Sequence, residues 1–228
     1  MTIFRQLHQE RFNSLTYLVA DSITRDAAVI DAVEGQEDGI ARLLKKLGLR
    51  LRYLLETHLH DDHLSAAPRL RKLTGARIAM HEQARMACCD QLLRDGDSLY
   101  LGEEAVEVIY TPGHTRCSVT YRLQDRLFTG DTLGIGWVGS VTAPGADPDR
   151  LYASVHGRLY SLADETLVYP AHDFRSRRVS SIGQEKLSNT DMPLACSRTA
   201  FLASRGHKPA PAFNRIADSN QRCLYEMT

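Results

Sequence analysis

No stretch of the chain is long and apolar enough to span a bilayer as a helix, which excludes an integral helical membrane protein. There is no block of Lys and Arg, and the formal net charge is +0, so neither nucleic acid nor a membrane surface is an expected partner. The amino end, MTIFRQL, lacks a charged region followed by an apolar run, and it is not rich in Arg and Ser. It does not read as a secretory or transit segment. Five cysteines are an odd number, and no CxxC occurs among them. They are expected to be free thiols in a reducing bacterial cytoplasm, with Cys88 and Cys89 as small core residues of a helix. No internal repeat, low-complexity tract or linker is present.

The 228 residues are 43% hydrophobic and 25% charged, enough for one substantial core; a single domain over 1–228 is expected. The unusual stretch is Thr57-His58-Leu59-His60-Asp61-Asp62-His63. Clustered imidazoles and carboxylates pack poorly and are costly to bury, so they point to metal ligation or acid–base chemistry. The apolar run Tyr53-Leu54-Leu55 precedes them, which places the cluster just past the carboxyl end of a buried strand. In extended chain His58 and His60 point the same way. A turn into the following helix would re-aim Asp62 and His63.

Strands are expected at 3–8, 14–20, 27–31, 52–56, 76–80, 118–123, 126–129 and 166–169, with a hairpin at 98–101 and 105–110. Apolar spacing predicts helices over 35–49, 64–73, 82–93 and 151–162. Pro68 is tolerable only in a first turn. The Gly- and Pro-rich stretch 132–150 reads as a long functional loop. The tail from 176 is helical in pieces, broken by Pro209 and Pro211. One strand after another ends in a turn and a polar group: the 58–63 cluster, His114, Asp131 and His172. His58, His60, His63, His114 and His172 are thus five of the chain's 9 histidines. A shared metal centre explains this placement better than unrelated caps do. His81 alone reads as structural or surface.

This order of residues resembles the metallo-β-lactamase superfamily: His58-Leu59-His60-Asp61-Asp62-His63, then Pro112-Gly113-His114, Gly130-Asp131 and Pro170-Ala171-His172. The resemblance implies an α/β fold, an αββα sandwich of two mixed β-sheets flanked by helices, with the metal at one edge. Within the superfamily the chain is most similar to the persulfide dioxygenases. The supporting pieces are Phe4-Arg5-Gln6-Leu7, Val29-Ile30-Asp31, Thr111-Pro112-Gly113-His114-Thr115, Tyr169-Pro170-Ala171-His172-Asp173 and the residues from Asn220 to Cys223. That resemblance implies one Fe(2+) per chain held by His58, His114 and Asp131, with His60, Asp62, His63 and His172 around it. It further implies a small-molecule persulfide substrate such as glutathione persulfide, O2 as co-substrate, sulfite and thiol as products, and a homodimer.

The chain departs from this group on the substrate side. The group's Gly-Arg-Thr-Asp-Phe-Gln is replaced by Gly139-Ser140-Val141-Thr142-Ala143-Pro144, and its Asp-Tyr by Asp173-Phe174. Trp137, Ser140, Thr142, Phe174 and Arg175 are therefore the candidate substrate-loop residues. Two other functions share the motif. A binuclear zinc hydrolase of a thioester or other ester, resembling glyoxalase II, would hold two Zn(2+) per chain. His58, His60 and His114 would hold one zinc, Asp62, His63 and His172 the other, and Asp131 would bridge them. A binding protein that keeps the fold without catalysis is the third.

Overall fold

The computed structural model describes residues 1–143, 145–205 and 214–223. Pro144, Pro209 and Pro211 lie outside the described residues. β1 (Thr2–Gln9) and β2 (Ser14–Asp21) form an antiparallel hairpin. β3 (Asp26–Ile30) continues antiparallel to β2. β4 (Arg50–Leu55), β5 (Arg77–His81) and β6 (Gln91–Leu93) then follow in parallel, in the order β1-β2-β3-β4-β5-β6. The second sheet begins with β7 (Ser98–Leu101), β8 (Glu104–Tyr110), β9 (Val119–Leu123) and β10 (Arg126–Gly130), an antiparallel meander. It adds β11 (Leu167–Pro170) parallel to β10 and a short β12 (Ser180–Ser181). Both sheets are mixed.

Side chains alternate across each strand, and this divides the core into layers. Leu15, Tyr17 and Val19 of β2 meet Val108, Tyr121 and Phe128 between the sheets. Leu18 and Ala20 of the same strand point outward, against Ile40 and Leu44 of α1 (Glu37–Leu47) and Leu70 of α2 (Ala67–Thr74). β2 is buried on both faces, which is why its sequence reads as a nearly continuous apolar run. On the far side Leu127 and Val168 pack under α3 (Pro148–Tyr152), the wider helical turn Ala153–Leu159 that extends it, α4 (Ile182–Ser188) and α5 (Arg198–Arg205). The result is the αββα sandwich. α6 (Arg215–Arg222) lies against the 58–63 segment, where Asn214 Nδ2 donates to Asp61 O at 3.0 Å. Among the described residues no helix is long and apolar enough to cross a membrane.

Two sequence expectations are corrected. The helix over 82–93 does not form: a single 3-10 turn, Glu82–Ala84, ends at Arg85, whose φ of 53° is left-handed. The chain then supplies β6 to the open edge of β5 and buries Leu93 between the sheets, so tertiary pairing overrides local helical spacing. The cysteines are not all free either. Cys88 and Cys223, 135 residues apart, are joined in a disulfide with Cα atoms 6.0 Å apart. Packing of α6 brings them together, and spacing in the sequence carries no trace of it. Cys89, Cys117 and Cys196 remain free thiols. The free-thiol argument for a reducing compartment therefore fails for the bonded pair. His81 is structural, as expected: its ring stacks on Tyr110 at 4.1 Å and Nδ1 accepts from Gln83 N.

Candidate metal centre

Five strands of the two sheets end at one place. β3 delivers Asp31, β4 the 57–63 segment, β8 the turn with His114, β10 Asp131 and β11 His172. Cross-links between these loops hold them in register. Val119 N donates to Thr57 O (2.8 Å), Ala171 N to Gly130 O (3.1 Å) and Gly139 N to Asp131 O (2.8 Å). Gly130 is left-handed (φ 54°), and a Cβ there would meet the Thr57 hydroxyl at 2.5 Å, so only glycine lets β10 pass this closely under the His loop.

The imidazoles are oriented through their far nitrogens. Thr57 Oγ1 donates to Asp31 Oδ2 (2.8 Å), so it accepts from His58 Nδ1 (2.9 Å) and leaves the Nε2 lone pair free. Ser140 O, which can only accept, takes the Nδ1 hydrogen of His114 (2.8 Å). Phe12 O takes that of His172 (3.3 Å). Each ring is thus held by its Nδ1 with Nε2 presented, the way metal-binding histidines are supported. Ligand atoms of His58, His114 and Asp131 all lie within 4.8 Å of one another. His114 Nε2 and Asp131 Oδ1 are buried without a hydrogen-bond partner, and His114 Nε2 is 3.7 Å from Asp131 Oδ2. Lone pairs facing each other in a buried site are costly, and a cation satisfies both. Burial, reinforced by the neighbouring imidazoles of His60, His114, His172 and His63, pushes His58 well below the usual histidine range and keeps it neutral for ligation. The residues fit a bound metal ion.

His60 is turned differently. Its Nε2 lies 3.3 Å from both Asp31 Oδ1 and Glu56 Oε2. Burial alone would lower its pKa, but hydrogen bonds to Asp31 and Glu56 outweigh that and raise it well above the usual value. His63 Nδ1 meets Asp62 Oδ1 at 3.0 Å, and its Nε2 is buried and unpartnered. His172 Nε2 is 3.4 Å from Asp62 Oδ2 and 3.6 Å from Asp131 Oδ1. His60, Asp62 and His63 form a second group that could hold an ion, and Asp31, Glu56 and His60 a third. The structure thus brings all seven expected residues together, without grouping His60 with His58 and His114.

The described first part of the long loop, 132–143, runs along this edge and positions the ligands. Ser140 acts through its carbonyl on His114, while its exposed hydroxyl accepts from Thr142 Oγ1. Trp137 and Phe174 pack together at 5.2 Å, and Phe174 stacks on His172 at 5.0 Å, so an aromatic wall flanks the centre. Arg175 is anchored to Thr190 Oγ1 at 3.0 Å. Gly139 is where the loop passes closest: a Cβ there would lie 2.2 Å from Asp131 O and 2.9 Å from the His114 ring. Gly139→Ala is expected to fold, by circular dichroism, yet to displace both ligands and weaken metal retention in a chelator competition by about 10- to 100-fold.

Sequence reading missed Asp31, Glu56 and Asn220 as supports. Asp31 carried a usable signal, since it too is a polar residue at the end of an apolar strand. Asn220 did not: its amide donates to His60 O (3.0 Å) and His63 O (2.9 Å) from the far end of the chain.

Residues 10–172 match the metallo-beta-lactamase superfamily. The mitochondrial persulfide dioxygenase ETHE1 of Homo sapiens is 34% identical over 224 residues, spanning 97% of this chain and 88% of that protein. The crystal structure of ETHE1 from Myxococcus xanthus superposes with a TM-score of 0.91 at 35% identity, over 99% of each chain. A hydroxyacylglutathione hydrolase of a Polaromonas strain is 34% identical over 169 residues, 72% of this chain and 63% of that protein. An orphaned ligand pair at the sandwich edge and similarity along nearly the whole chain agree: this is an enzyme that belongs to the metallo-beta-lactamase superfamily, in its persulfide dioxygenase group.

Proposed function

We propose that the protein is a mononuclear iron(II) dioxygenase that oxidises a low-molecular-weight persulfide with O2 to sulfite and a thiol. The observation that carries this reading is the grouping of His58, His114 and Asp131, with His60 turned onto Asp31 and Glu56. Two imidazoles and one carboxylate form the facial set of non-haem iron(II) oxygenases. Iron held there supplies Lewis acidity toward an anionic sulfur and redox chemistry toward O2. The protein's part is to fix the ligands through Thr57 and Ser140 and to limit water with the Trp137–Phe174 wall. The wall also offers an apolar surface to the organic part of the substrate, and Arg175 an adjacent cation. Neither side chain of the group's usual Arg and Asp is present in the 139–144 stretch, so these contacts replace them.

A binuclear hydrolase remains the second reading, favoured by the His60, Asp62 and His63 group and by His172 reaching both Asp62 and Asp131. Protein purified anaerobically without added zinc is expected to contain about one iron per chain and to consume O2 with glutathione persulfide or another small persulfide. About two zinc ions per chain, with thioester hydrolysis and no O2 uptake, would overturn the dioxygenase reading.

A further inference from the structure

We propose that the Cys88–Cys223 disulfide is a thiol-exchange site that controls how tightly the metal loop is held. α6 has little to anchor it by burial: within Arg215–Arg222 only Asn220 is buried. That one side chain, with Asn214 at the helix's N-terminus, supports the His loop. Its Nδ2 donates to His60 O and His63 O at 3.0 and 2.9 Å, and its Oδ1 accepts from Ser65 N at 3.0 Å. Cys223 follows at the helix end in a left-handed conformation (φ 54°), and its bond to Cys88 fastens α6 to the segment after β5. Ala87 N donating to Gln221 O at 2.8 Å is the neighbouring backbone link. The disulfide is therefore the covalent part of a clasp whose other end is the backbone of two histidines of the metal centre.

The bond is accessible on one side. An open surface cavity of about 230 Å³ is lined by Arg71, Cys88, Cys89, Asp90, Arg222 and Cys223. Cys88 is half-buried, whereas Cys223 is 5% exposed, so an incoming thiolate reaches the Cys88 sulfur. Arg71 and Arg222 line the same cavity, each ion-paired with a carboxylate, Asp90 and Asp218. The leaving sulfur is Cys223 Sγ, which already accepts Cys88 N–H at 3.2 Å, a contact that stabilises a thiolate there.

Attack of RS⁻ on Cys88 forms an RS–S bond to Cys88, breaks the Cys88–Cys223 bond and leaves the electron pair on Cys223. A second thiol attacks the mixed disulfide, releasing RSSR and the Cys88 thiolate, and both cysteines then take protons from water. Two small thiols are oxidised to one disulfide and the protein disulfide is reduced. A low-molecular-weight thiol is also the product class of the proposed reaction. The clasp itself rests only on the metal site, so its failure would leave the dioxygenase reading standing.

The test uses the full-length metal-loaded protein with reduced glutathione as the probe. A non-reducing digest is expected to contain the linked Cys88 and Cys223 peptides, and brief exposure to glutathione to give an adduct on Cys88. Full reduction is expected to raise amide exchange over 58–66 and to weaken metal retention against a chelator by about 10-fold, in the range seen when a supporting partner of a ligand is lost. Cys88→Ser should reproduce the reduced state and ignore glutathione, while Cys89→Ser should respond as the wild type does. Absence of the linked peptide, an adduct on Cys223 instead of Cys88, or reduction that leaves both exchange and metal retention unchanged would overturn the proposal.

Discussion

Asp131→Asn is expected to abolish turnover and to weaken metal retention by more than the ~100-fold typical of losing an outer partner. The substitution keeps the volume and removes the charge. Among the described residues Asp131 is the carboxylate grouped with His58 and His114, and its Oδ1 is buried without a hydrogen-bond partner. Without it, the cation loses its one anionic ligand in a buried site whose other two ligands are neutral. The informative comparison is Asp62→Asn. Asp62 lies against His63 and His172, and burial's tendency to raise its pKa is overcome by the His63 hydrogen bond and by the neighbouring imidazoles. In a mononuclear centre Asp62→Asn leaves metal stoichiometry unchanged at about one per chain, whereas in a binuclear centre it removes half of the metal. Elemental analysis of the two variants side by side decides between the readings, and equal losses in both would sink the mononuclear one.

Asp31→Ala carries the largest expected effect on stability. The carboxylate is 3% exposed and accepts from Thr57 N at 2.7 Å and Thr57 Oγ1 at 2.8 Å, with His60 Nε2 at 3.3 Å. Alanine would leave these buried donors without an acceptor, at about 1–3 kcal/mol for each neutral group. The total is expected to reach roughly 3–5 kcal/mol, as for breaking a buried charged pair. Asp31 also sits at φ 52°, a conformation Asp and Asn tolerate better than Ala, which adds to the loss. Without Asp31 the Thr57 hydroxyl is no longer oriented as an acceptor for His58 Nδ1, so metal retention should fall along with stability. Asp31→Asn retains one acceptor and the backbone preference and should lose clearly less. Urea unfolding of metal-free protein measures the first effect and chelator competition the second. A metal-free Asp31→Ala within about 1 kcal/mol of wild type, the mean for ordinary substitutions, would show that the hub is not structural.

The residues of the centre were legible because strand ends leave a mark in sequence. Apolar runs stop, turns follow, and His58, His114, Asp131 and His172 stand where packing has no use for them. The same logic placed most of the strands, the long loop after Asp131 and the helix expected over 64–73, which forms over Ala67–Thr74, while the two-sheet sandwich rested on the family resemblance and not on periodicity. It failed over 82–93, where helical spacing was real but the open edge of β5 was the stronger partner.

By itself, then, the sequence determined that the chain carries candidate metal ligands and where along it each falls, because hydrophobic periodicity and turn residues act locally. Only the tertiary structure decided what each imidazole faces. His60 lies two residues from His58 and shares its direction in extended chain, yet its Nε2 faces Asp31 and Glu56 and its Nδ1 is buried without a partner, while His58 groups with His114 and Asp131. Asn220 reaches the His loop from 160 positions beyond His60, and Cys223 reaches Cys88, after β5, from 135 positions away. Periodicity reports which face of an element is buried. It does not report what that face meets across a sandwich, and that meeting assigns a histidine to the metal or to its support.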